Sequence, residues 1–223
     1  MSAIADVRKS VLPLIGNPEL SLIGRTLALK PTRHILRAVD IDRCSDKYQL
    51  KPRWVVTFLF EPQESLLLTW SGDLENPLGG PWDIRDPATA EKLCGQIETV
   101  ALPILRKIET VEDFAAFATS ERFPYTHLGT RPLRHVIVAA GLGRWEEALS
   151  ILRDLEAKAH DWSSWTAVHE DYTRVTRVLR PLIEVRDRVG IGKMLREWEA
   201  WSVRKMKLES IWEPTPFPVE TAE

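Results

Sequence analysis

The chain has 223 residues, 44% of them hydrophobic and 28% charged, with a formal net charge of −2. That composition excludes a disordered chain, and the near-neutral balance gives no global attraction to nucleic acid or to an anionic membrane. No apolar run reaches the roughly 18 residues of a membrane span, and the opening MSAIADVRKS lacks the apolar stretch of a secretion signal, so a cytoplasmic protein is expected.

In chain order, residues 3–15 carry apolar side chains at helical spacing, with Pro13 set to bend or end that helix. The period then changes to two. In 26–43, Ile35, Arg37, Val39 and Ile41 fall on one face and Leu36, Ala38, Asp40 and Asp42 on the other, a strand with one dry face. RWVVTFLFEP at 53–62 reads as a buried strand, and 65–71 is expected to pair with 53–60 as a hairpin. Residues 72–87 hold three glycines and three prolines and read as a loop. Asp86 before Pro87 should open a helix running to about 108 and kinked at Pro103, and Thr110 with Asp113 has capping-box spacing for a helix to about 119.

Helices are predicted over 132–141, 144–159, 163–188 and 191–212, followed by a Pro-rich tail, 213–223, extended or disordered. The glycines of AAGLGRWEEALSIL mark a helical hairpin, since Gly141 or Gly143 can adopt the left-handed conformation that ends a helix. GIGKMLREW at 190–198 echoes it loosely but its tryptophans do not align, so the hairpin is solitary and no repeat array is predicted. The expected architecture is one α+β domain over 1–212: a small antiparallel sheet near the N-terminus, at about 26–71, then a bundle of five or six helices over 86–212.

Catalytic signatures are sparse. Cys44 and Cys94 stand alone and read as reduced thiols, without a zinc-ligand partner. GLG and GIG lack the third glycine and preceding strand of a dinucleotide loop, so no cofactor is expected. His160-Asp161 is an HD dipeptide. With His169 nine residues on, it gives the alternative of a metal-assisted hydrolase, but that spacing is not a helical ligand spacing and no metal site is assigned. Of the nine tryptophans, most should serve packing, while Trp70 and Trp82 flank the acidic loop and are candidate interface anchors.

Charge is segregated along the chain. Residues 61–121 hold twelve acids against four bases, a local −8, and residues 174–207 hold ten bases against four acids, a local +6. Either the two segments neutralise each other in the fold, or each is a docking surface. On the second view, Trp70, Asp73, Glu75, Trp82 and Asp83 form a partner-binding loop suited to a basic protein. Arg174, Arg177 and Arg180 form a basic face, for which nucleic acid is the weaker alternative because no stacking aromatics interleave with the arginines.

The strand WVVTFLF, the Trp82-Asp83-Ile84 loop, the passage LPIL..IETVEDFAAF at 102–117 and the hairpin GLGRWEEALSIL resemble a bacterial family known only as a domain of unknown function. The resemblance covers about 53–155. It implies a short cytosolic α+β protein without catalytic residues and, from relatives beside toxin systems, an immunity or partner-neutralising role. The sequence thus points to a non-enzymatic interaction module with a protein partner and no membrane association, and leaves its oligomeric state open.

Overall fold

In the computed structural model, which describes residues 3–123, 126–158, 173 and 175–221, two compact units divide the chain. The first comprises 1–58, 65–109 and 203–213; the second comprises 59–64, 110–202 and 214–223.

The first unit is built on an antiparallel sheet. Its strands are β1 (Leu20–Ile23), β2 (Thr26–Leu29), β3 (Ile35–Arg43), β4 (Gln49–Phe58), β5 (Trp70–Asp73) and β6 (Trp82–Asp83). The order is β1-β2-β3-β4-β5, and β6 also pairs with β4. The register Ile35↔Phe58 through Arg43↔Leu50 makes β3 and β4 the spine. Helix α1 (Ala3–Ser10) precedes the sheet, and α2 (Thr89–Gln96) and α3 (Leu102–Leu105) follow it. The large buried side chains include Leu27, Ile35, Ile41, Phe58, Trp70 and Leu93. Each contributes about 1.5–3 kcal/mol relative to leaving it in water.

The chain mixes α and β, but the expected small sheet followed by a bundle of five or six helices is overturned. The sheet has six strands and reaches Asp83, helix precedes as well as follows it, and the helices are divided between two units. Three local causes account for the extra strands. Gly24, at φ 60°, makes a two-residue turn that folds β1 onto β2 with Ile23↔Thr26 as the closing pair. Lys30–Arg33, where Pro31 has no N–H to give a ladder, splits the single strand expected over 26–43 into β2 and β3. The hairpin expected for 65–71 forms later, as Val56↔Trp70 to Arg53↔Asp73, so Gly72 belongs to a strand. A Cβ on Gly72 would lie 2.5 Å from the Trp54 ring, so the bare glycine makes room for the indole.

Strand β3 is buried on both faces from Ile35 to Ile41, so its second face is dry as far as Asp40. Asp40 is held by Arg25 Nε at 3.1 Å, and burial pushes its carboxyl above the ordinary value. The helix expected over 86–108 starts at Thr89 and opens into a π turn over Ile97–Ala101, where the Leu102 N–H reaches the Ile97 carbonyl. That wider turn precedes Pro103, whose ring would otherwise clash with the preceding turn.

The second unit holds α4 (Val111–Ala118), α5 (Pro132–Gly141), α6 (Trp145–Lys158), a π turn over Val175–Leu179, α7 (Arg180–Glu184), the 188–202 part of α8 (Arg188–Met206), and α9 (Pro218–Thr221). Thr110 and Asp113 form the expected capping box. The segment after Glu213, read as an extended or disordered tail, is packed instead. Phe217 and Val219 are buried, and Phe217 meets Phe60 edge-on at 5.1 Å between ring centroids. Glu220 accepts the Phe217 N–H and pairs with Arg196. No helix among the described residues is long and apolar enough to cross a membrane.

Candidate functional site

Strands β5 and β6 pair with the same edge of β4, at residues 53–56 and 49–50, and leave the chain from Leu74 to Pro81 to bridge the gap. This bridge is pinned from inside. Leu74 donates its N–H to the Pro52 carbonyl at 2.9 Å, and the Trp82 indole N–H donates to the Leu74 carbonyl at 2.7 Å. Asn76 holds the tip: its Oδ1 accepts the Leu78 N–H, its Nδ2 donates to the Pro81 carbonyl, and its own carbonyl accepts the Gly79 N–H. Gly79 and Gly80 sit at φ 76° and 72°, a reversal open to glycine and closed to most residues. An open cleft of about 360 Å³ lies beneath, bordered by Lys51, Asp73, Glu75, Asn76, Gly79 and Gly80.

The tryptophans are not the anchors that the sequence suggests. Trp70 is 0% exposed and Trp82 is 4% exposed, so neither offers a partner a face. Trp70 packs near Phe58, and Trp82 supports the loop from below. The exposed apolar group is Leu78, 75% accessible at the tip. Sequence reading missed it, although NPLGGP carries a signal: an asparagine able to bond its own backbone, and one aliphatic residue between Pro and Gly-Gly.

The carboxylates divide into two kinds. Asp83 is clamped by Arg85, whose Nε lies 2.9 Å from Oδ1 and whose N–H bonds the same oxygen at 2.8 Å. Those bonds hold its carboxyl down to about 2, and Arg85 in turn lies over the Tyr48 ring. Asp86 accepts the Ala88 N–H and Lys92 Nζ, which lowers its pKa. Both fix local structure. Asp73 is 60% exposed, with Arg53 and Lys51 no nearer than 3.7 and 3.9 Å. Glu75 is exposed and makes no hydrogen bond or ion pair with the described residues. Asp73 is thus loosely paired with two cations, and Glu75 is left unpaired among the described residues.

The other predicted groups do not assemble. Arg174, His160, Asp161 and His169 lie outside the described residues. Arg180 is engaged by Glu156 and Glu184, which leaves Arg177 as the exposed member of the basic face among the described residues. His127 accepts the Gly129 N–H at Nδ1, so Nε2 carries the proton donated to the Thr119 carbonyl. His135 pairs with Glu147 at 2.7 Å beside a recess of about 120 Å³ floored by Ala115, Val138 and Ala139. No group of three or more metal-binding side chains occurs among the described residues. Cys44 and Cys94 are both free, and burial pushes the Cys94 thiol up to about 11.

Comparisons of the chain with protein-family models, with curated proteins and with solved structures give no match.

Proposed function

We propose that the chain is a non-catalytic, cytoplasmic interaction module of the immunity or partner-neutralising kind, docking a cation-bearing protein through the 73–81 loop. Leu78 would bury its side chain in the partner, while Asp73 and Glu75 steer the approach and screen out acidic surfaces. The observation that carries this reading is an aliphatic side chain held out on a loop tied down by Asn76, Leu74 and Trp82. A pre-ordered loop loses little freedom on binding, so its contacts translate more fully into affinity.

The test is capture of a partner from the source cell by the wild type, by Leu78→Asp and by the double charge reversal Asp73→Lys/Glu75→Lys. Leu78→Asp is expected to weaken binding by at least tenfold. The reversal should slow association and remove its salt dependence, with a smaller effect on dissociation. Equal recovery by all three proteins excludes the loop as the interface.

A further inference from the structure

Asp40 is the one aspartate of β3 sealed from solvent, at 1% exposed, and it shares a face of the sheet with its cross-strand neighbours Thr26 of β2 and Arg53 of β4. Its Oδ1 lies 3.1 Å from Arg25 Nε and a long 3.5 Å from the Thr26 hydroxyl. Its Oδ2 is buried and accepts no hydrogen bond from the described residues. Arg53 turns toward Asp73, at 3.7 Å, and its own Nε is buried without a hydrogen bond. Lys51, opposite Asp42 in the register, stands 3.9 Å from Asp73.

The charges acting on Asp40 are therefore Arg25 and Arg53, which favour its ionised form, and Asp42, which opposes it. Arg25 holds it weakly. That side chain is half exposed, so water screens its charge, and it is shared with Asp42 at 2.5 Å. Burial outweighs the attraction and raises the carboxyl above its ordinary 3.8. Arg25 also sets the turn after Gly24, and its carbonyl accepts the Ile41 N–H at 3.1 Å. Backbone and side chain of one residue thus tie the β1–β2 hairpin to β3.

We infer that Asp40 and Arg25 form a proton-operated latch between the β1–β2 hairpin and β3, which tightens when Asp40 takes up a proton and works loose when Asp40 is charged. The direction is opposite to that of an ordinary ion pair. A charged Asp40 keeps an oxygen that the closed hairpin leaves unsatisfied, and lifting the hairpin lets water reach it; the neutral carboxyl rests in the dry interior at lower cost. A group with a raised folded value contributes stability that is fully present below the ordinary 3.8 and lost as pH rises through the raised value. A hairpin that opens without the rest of the sheet follows the same rule.

Two measurements on the whole chain test it. Carbon-13 NMR of the aspartate carboxyls, with Asp40 assigned from Asp40→Asn, should show Asp40 titrating above 3.8 while Asp83 titrates at about 2. Hydrogen exchange of the β1, β2 and Ile41 amides, expressed as protection factors, should show protection falling by about threefold or more as pH rises through the Asp40 titration. Asp40→Asn should keep the protected state across the whole range. Arg25→Gln removes an attraction and should move the fall to higher pH; Asp42→Asn removes a repulsion and should move it to lower pH. An Asp40 that titrates at or below 3.8 overturns the inference, as does protection that stays flat or rises with pH. So do hairpin amides that exchange only with the whole sheet, a fall that persists in Asp40→Asn, or an Asp40→Asn chain that does not fold.

Discussion

Two helix–turn–helix junctions in the second unit share one hydrogen-bond pattern and differ in the residue that holds the left-handed position. At the first, Gly143 bonds the Ala140 carbonyl and Arg144 bonds that of Ala139; at the second, Arg186 bonds Ile183 and Asp187 bonds Leu182. Both are Schellman turns, with the left-handed residue at φ 69° in one and 54° in the other. The first turn packs beside α9, where a Cβ on Gly143 would lie 3.6 Å from Val219, at ordinary van der Waals contact. The second is open to solvent and carries an arginine, despite the roughly 1–2 kcal/mol that this conformation costs an L-residue. Backbone geometry favours glycine at both turns, and the neighbouring Val219 limits how large a side chain the first could hold.

Substitutions at the two turns can break or sharpen this contrast. The largest effect is expected from Gly143→Val, which adds left-handed strain to contact with Val219. It should lower the unfolding free energy by about 2–4 kcal/mol, read as a drop in urea midpoint at unchanged slope; a loss under 1 kcal/mol would mean that the α9 contact yields easily. Asp187→Ala comes next. Asp187 Oδ1 accepts the Gly190 N–H and caps α8, so its removal should cost about 1 kcal/mol in the same titration. An unchanged midpoint would show the cap to be dispensable. The smallest effect carries the opposite sign. Arg186→Gly should stabilise by about 0.5–1 kcal/mol, because relief of strain exceeds the loss of an exposed ion pair with Glu146. Destabilisation there would give the Arg186 side chain a larger structural share than its exposure suggests.

The same two junctions show what could be read in advance. The first was legible because its glycine is itself the left-handed turn residue. The second was displaced: the glycines of GIG lie inside α8, and the turn falls at Val185–Asp187, where nothing in the residue types announces it. Those glycines answer a different need. A Cβ on Gly190 would meet the Asp187 carboxylate at 2.3 Å, and one on Gly192 would meet Glu220 at 2.2 Å.

The sheet was under-read for a related reason. Strands of two to four residues such as β1, β5 and β6 are too short to display a period; β1 is paired by the turn that folds it onto β2, and β5 and β6 by the long β4 edge. At the candidate site, the acidic character of residues 73–83 was visible in composition. The exchange of roles between Trp82 and Leu78 was not, because burial depends on the β4–β6 pairing that turns the indole inward.

The π turn before Pro103 has a counterpart in the second unit, where Val175–Leu179 stands just ahead of Pro181. In each, the helix accommodates one residue more than an ordinary turn would hold, so the stretch acts as slack in the chain. Removing a single residue from 97–101 would draw that slack in and bring Pro103 against a closed α-turn. The extra residue and the imino acid are therefore a matched pair, and a chain that loses one is under pressure to lose the other.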